Sequence, residues 1–151
     1  MFIILKRVII MFDATVYNTV KKGLCKSKTE SFPSGNGDIG ANVWADEEGN
    51  INLLISKTDA ISELGRLLKV GLIKLKFSTP IFLNEEPDTI LDLSDGSVTV
   101  KNSIARVQIA AFRDTSLLAA RLLSAEDIQM HAEPIVWRDK LYKHDPTDQS
   151  A

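Results

Sequence analysis

An all-β, antiparallel β-sandwich of supersandwich-like type, with at most one short helical turn, is the fold this sequence predicts. Three observations carry the prediction. Apolar residues recur with period two in short stretches, as Ile73, Leu75 and Phe77 do against Lys74 and Lys76. Tight-turn chemistry separates such stretches, at Asp46-Glu47-Glu48-Gly49-Asn50 and at Ser94-Asp95-Gly96. No segment carries the apolar spacing of a long amphipathic helix. About eight strands, joined by hairpins and each apolar on one face, bury that face by stacking as two sheets.

In chain order, residues 41–45 and 51–56 flank the first turn. Residues 57–65 break the alternation, and Thr58 or Asp59 can cap a short helical turn over 58–63. Residues 66–78 return to period two. Thr79-Pro80 and Asn84-Glu85-Glu86-Pro87 punctuate the next section. Residues 89–93 and 97–101 flank the second turn, with Val98 and Val100 on one face. In 105–112, Val107 and Ile109 oppose Arg106 and Gln108. Residues 117–123 are apolar but for Arg121, too apolar to tell strand from helix by period, and their shortness and strand neighbours make them a buried strand. Ile128, Met130 and Ala132 alternate with Gln129, His131 and Glu133 in the last strand. Residues 1–27 read as an extension or first strands, 28–139 as the sandwich, and 140–151 as a polar tail.

The 151 residues fit one domain, and 44% apolar with 25% charged residues is ordinary for a globular chain. A net charge of −2 leaves no basic footprint, so no nucleic-acid partner is expected. Cys25 is alone, which excludes an internal disulfide and a cysteine metal cluster; no cofactor or metal is expected. The start, Met1 to Phe12, is apolar but carries Lys6 and Arg7 in its middle. It lacks the order of a signal peptide and is too short to span a bilayer, so no membrane partner is expected. Met11 is a second possible start.

The most unusual stretch runs from Ser31 to Trp44. Its Gly35-x-Gly37-x-x-Gly40 matches the dinucleotide-binding fingerprint, which needs a buried strand before it and a helix after it. Here Lys26 to Ser31 are polar, and Ile39 to Trp44 run as a strand into the next turn. Strand, turn, strand leaves no helix N-terminus for a pyrophosphate. Catalytic chemistry is equally unsupported. His131 lies on the polar face of a strand, His144 lies in the tail, and neither adjoins a nucleophile motif. The acids at 46–48 and 85–86 sit in turns, whereas a glycosidase holds two carboxyls across a cleft. No catalytic residue is assigned. The ligand-binding candidates are Asn36, Asp38, Lys57, Asp59 and Arg66, with local turn bonding and ion pairing as the competing reading. Trp44 and Trp137 are aromatic faces that suit a sugar ring, although Trp44 stands among apolar strand residues and reads first as core.

Two blocks combine into a resemblance. Ser31-Phe32-Pro33-Ser34-Gly35-Asn36-Gly37-Asp38-Ile39-Gly40-Ala41-Asn42-Val43-Trp44 is followed by Ile55-Ser56-Lys57-Thr58-Asp59-Ala60 and Gly65-Arg66-Leu67-Leu68-Lys69. Together they resemble the domain of unknown function 5703, an N-terminal domain of large glycoside-hydrolase-like proteins. That domain is akin to the N-terminal β-domain of the α-L-fucosidases of glycoside hydrolase family 95. Thr89-Ile90-Leu91-Asp92-Leu93, Asp95-Gly96-Ser97-Val98 and Trp137-Arg138 agree with it, so the match covers roughly residues 31–139. Phe32 and Ser34 replace the usual Met and Leu, Ile61 stands where an aromatic is common, and the segment before Lys28 matches poorly.

The resemblance implies a carbohydrate-active parent protein, periplasmic or extracellular. The family's catalytic machinery lies in a downstream (α/α)6 barrel, for which these residues have no room. It therefore implies a non-catalytic β-sandwich whose partners are that barrel, in cis or in trans, and a glycan. The alternatives are a free-standing carbohydrate-binding module and a truncated gene product without independent activity.

Overall fold

The computed structural model describes residues 18–135; the expectations for residues 1–17, Trp137, Arg138, His144 and the polar tail lie outside them. Among the described residues, ten strands form two five-stranded antiparallel sheets. The first has the order β1 (Thr19–Lys22), β6 (Asp88–Asp92), β7 (Ser97–Lys101), β8 (Ala105–Ala111), β9 (Leu118–Ser124). The second has the order β10 (Met130–Ile135), β5 (Leu67–Phe77), β4 (Ile51–Ile61), β3 (Ile39–Ala45), β2 (Phe32–Gly35). The all-β sandwich expected from the alternation is the observed fold.

Period two explains the core directly. From the second sheet, Ala41, Val43, Ala45, Ile51, Leu53, Ile55 and Leu75 point inward; Val98, Val100, Ala105, Val107 and Ile109 meet them from the first. Registers keep these side chains opposite one another, as in Val43↔Leu53 and Val100↔Val107. A single-residue slip in either pair would turn the apolar set toward water. The one-turn helix α1 (Ile81–Asn84) closes one end of the core with Ile81 and Phe82, and Phe82 meets the Phe77 ring edge-on at 5.4 Å. Thr89 faces the same core opposite Val100.

The outer face of the second sheet carries a charged cluster. Asp46, in the β3–β4 turn, accepts from the backbone N–H groups of Glu48 and Asn50 and, at 2.7 Å, from Asn52 Nδ2. Lys74 reaches across from β5, 3.2 Å from Asp46 and 3.0 Å from Glu48. Gly49, at φ 76, supplies the left-handed residue that this turn requires.

Two local expectations are corrected. The helical turn placed at 58–63 is absent, because β4 continues through Ile61 and pairs Ile61 with Leu67 of β5 after a register shift. Helical turns occur instead at 81–84 and, as a 3-10 turn, at Lys28–Glu30. Strand pairing outweighs the capping potential of Thr58, whose N–H is taken by the Asp38 carbonyl at 3.0 Å. Residues 118–124 form an edge strand, half-buried rather than fully enclosed. Within the unassigned residues 1–27, Thr19–Lys22 is a strand on the edge of the first sheet.

Candidate functional site

The glycine-rich stretch folds as a hairpin corner. β2 leads into it and β3 leaves it, with Gly35 directly opposite Gly40. A Cβ on Gly35 would lie 3.2 Å from the Ile39 carbonyl oxygen and 3.3 Å from Gly40 Cα, so the two strands approach because neither residue has a side chain there. Gly37 holds φ 92, a conformation glycine adopts without strain. The three glycines therefore make a tight turn, not a phosphate cradle.

Asn36 is the keystone of the corner. Its Oδ1 accepts from the N–H groups of Asp38 and Ile39, both at 3.0 Å. Its Nδ2 crosses to the other sheet and donates to the carbonyl oxygens of Phe112 at 2.5 Å and Thr115 at 2.6 Å, in the β8–β9 loop. Two donors and two acceptors are thereby all engaged. Ser34 adds another bond between the sheets, donating to the Gly96 carbonyl at 2.8 Å.

Asp38 gathers the charged side of the corner. It accepts from Lys57 Nζ at 3.0 Å, from Thr58 Oγ1 at 3.3 Å and from the Ser116 hydroxyl. The Ser116 hydroxyl first, and then Lys57, hold the Asp38 carboxyl below its ordinary range. Asp59, 2.8 Å from Lys57 Nζ, and Asp38 together hold that ammonium above its usual value. Lys57 is two-thirds covered, while Asp59 is mostly exposed. Two open hollows flank the turn, both bordered by Gly37 and Asp38. One, of about 320 Å³, is walled by Ser56, Lys57 and Thr58; the other, of about 370 Å³, by Asp114, Thr115 and Ser116.

Of the five candidates, the fold thus brings Asn36, Asp38, Lys57 and Asp59 to one corner. Arg66 belongs to the Ser62–Arg66 turn between β4 and β5, which its backbone closes through two hydrogen bonds with Ser62, and it borders neither hollow. Sequence reasoning missed Thr115 and Ser116. The polar run Arg113 to Ser116 marks a turn, but nothing in it signals a partner some 78 residues away. Trp44 alternates with Val43 and Ala45, so it points away from the core and is half-buried on the outer face of the second sheet.

Chemically, the corner is an ionised, hydrogen-bonded assembly. A carboxyl acting as a general acid at neutral pH needs a raised pKa, and Asp38 is displaced in the opposite direction. Among the described residues, no group of three or more His, Cys, Asp or Glu side chains could hold a metal ion, and no helix is long and apolar enough to cross a membrane.

A sandwich closed at one corner by a glycine-rich, doubly stitched hairpin is the class that fold and site define. The model of a domain of unknown function, DUF5703, matches residues 21–151, and the chain belongs to that family. No curated protein and no solved structure matches the chain.

Proposed function

We propose that this chain is the β-sandwich domain of a carbohydrate-active, glycoside-hydrolase-like protein, packing against an (α/α)6 catalytic barrel and inactive as a hydrolase by itself. The observation that supports this reading best is the state of the Asn36–Asp38 corner. Its polar groups are committed to building the corner, and its central carboxylate is held ionised. Such a corner is a rigid platform for something placed beside it. Asn36 and Asp38 hold the turn, Lys57 and Asp59 face the neighbouring barrel or glycan, and Arg66 is a further charged candidate from the next turn.

The test is a mixing experiment with the all-helical barrel encoded in the same or an adjoining reading frame. A stoichiometric complex by size exclusion is expected, with aryl-glycoside turnover confined to preparations containing the barrel. Replacing Lys57 and Asp59 together by Ala is expected to weaken the complex about tenfold, roughly 1.4 kcal/mol. Turnover by residues 1–151 alone, or failure of the two proteins to associate, would overturn the proposal.

A second reading rests on Trp44. A half-buried indole on an outer sheet face, near the polar Asn52, is the surface a sugar ring stacks on in a carbohydrate-binding module. Titration with fucosylated oligosaccharides would then shift the tryptophan emission, and the shift would be absent in Trp44→Ala. An unchanged spectrum at saturating sugar excludes it.

A further inference from the structure

We propose that Asn36-Gly37 is a spontaneous deamidation site that the fold holds shut through the β8–β9 loop. This does not depend on the carbohydrate reading. The chemistry follows from the pair itself. The backbone nitrogen of Gly37, losing its proton, attacks Cγ of Asn36; the new N–Cγ bond forms as the Cγ–Nδ2 bond breaks, and the amide leaves as ammonia. Water then opens the resulting five-membered imide at either carbonyl, giving aspartate or its iso-linked isomer. Glycine offers the least obstructed backbone nitrogen, because no side chain flanks the approach.

In the folded chain this attack is blocked by geometry. Cγ must swing toward the Gly37 nitrogen, yet Oδ1 is fixed by Asp38 and Ile39, and Nδ2 by Phe112 and Thr115. Reaction therefore waits for the loop to lift away, and its rate scales with the fraction of molecules in that open state. Ser116, bonded to Asp38, is a second clasp on the same loop.

The product cannot restore the corner. A carboxylate at position 36 can still accept from Asp38 and Ile39, but its second oxygen faces two carbonyl oxygens and has no hydrogen to give them. It also lies beside the ionised Asp38. Opening is thus made permanent, by the altered side-chain group in the aspartate product and by the rerouted main chain in the iso-linked one.

Asn102 supplies an internal control. It carries the same four-bond arrangement, with Nδ2 donating to the Ile81 and Glu85 carbonyls and Oδ1 accepting from Ile104 and Ala105, but serine follows it. The experiment is peptide mapping by mass spectrometry of the 151-residue chain, incubated in mildly alkaline buffer with and without denaturing urea. In urea, Asn36 is expected to convert well ahead of Asn102. Without urea, its conversion is expected to be at least about tenfold slower, as confinement to a minor open state requires. Ser116→Ala is expected to raise the native rate at Asn36 while leaving Asn102 unchanged, and Asn36→Asp to lower the urea midpoint. Equal native and denatured rates at Asn36, no advantage over Asn102 in urea, or a native rate indifferent to Ser116→Ala would each overturn the proposal.

Discussion

Asn36 and Asn102 close two different hairpins with the same set of bonds. Each takes the carbonyl three residues ahead with its own N–H, at 3.2 Å for Ile39 and 3.0 Å for Ala105. Each side-chain oxygen then receives two backbone N–H groups of its turn, and each amide donates to two carbonyls of a distant segment. A turn held in this way positions the chain beyond it. Asn36 ties the β2–β3 turn to the β8–β9 loop, and Asn102 ties the β7–β8 turn to α1 and the segment after it. Only an amide can do both tasks, since an Asp lacks the donors and a Ser lacks the reach.

Replacing either asparagine by Ala is therefore expected to destabilise the fold by about 1–3 kcal/mol, less than four full hydrogen bonds, because water reaches these partly exposed groups. Urea unfolding followed by circular dichroism measures it. The Asp replacement at Asn102 should be nearly as damaging as Ala. If Asn102→Asp kept wild-type stability, the carbonyl-facing amide donors would not be what the position requires.

Two glycines separate conformation from space. Gly37 has φ 92, and a Cβ added there would meet nothing within 4 Å, so Gly37→Ala meets no clash and only the left-handed backbone opposes it. The expected loss is about 1–2 kcal/mol. Gly71, in β5, is equally unobstructed but has no positive φ, so Gly71→Ala should be neutral or slightly stabilising. Thermal melts of the two variants side by side are the check, and equal losses would refute the distinction.

Strand identity and facing were legible in the sequence wherever one face is apolar. Ile73, Leu75 and Phe77 against Lys74 and Lys76, and Val107 and Ile109 against Arg106 and Gln108, pair in the structure with the faces the alternation required. The reading failed where local and long-range preferences compete. Thr58 and Asp59 suit a helix cap, yet β4 runs on to pair Ile61 with Leu67 of β5, and the carbonyl of Asp38, 20 residues back, takes the Thr58 N–H. The candidate corner was half legible for the same reason. Glycines, Asn36 and Asp38 announce a turn by their own chemistry, whereas Thr115 and Ser116 acquire meaning only when the sheets stack.

Thr89 marks a place where the fold is less stable than it could be. It is 1% exposed, faces the core opposite Val100, and its hydroxyl has no hydrogen-bond partner among the described residues. Valine has nearly the same shape and no polar atom to desolvate. Thr89→Val is expected to stabilise by about 1 kcal/mol, the lower end of the penalty for an unpaired buried hydroxyl. A lowered urea midpoint would show that the hydroxyl does find a partner.

Asp46 and Lys74 give stability a definite pH dependence. Burial presses the Asp46 carboxyl upward, but hydrogen bonds from Asn52, from the Asn50 backbone and from Lys74 outweigh it, leaving the group below its ordinary value. A carboxyl whose folded pKa is depressed contributes stability that is complete above its unfolded value, about pH 4, and is lost as pH falls through the folded one. For Lys74 burial lowers the pKa, while Glu48 and Asp46 more than restore it. Its contribution is therefore complete below its unfolded value, near pH 10, and declines as pH rises through the higher folded value. Melting temperatures should fall on acidification below about pH 4, and Asp46→Asn should flatten that limb while lowering stability at neutral pH. Asn52, buried beside Asp46, makes the comparison informative. The amide that replaces the carboxylate can still accept from Asn52 but cannot carry the charge that Lys74 answers. If the variant retained the full acid limb, the dependence would have to come from other carboxylates, with Glu133 against Lys76 and Asp38 against Ser116 the next to vary.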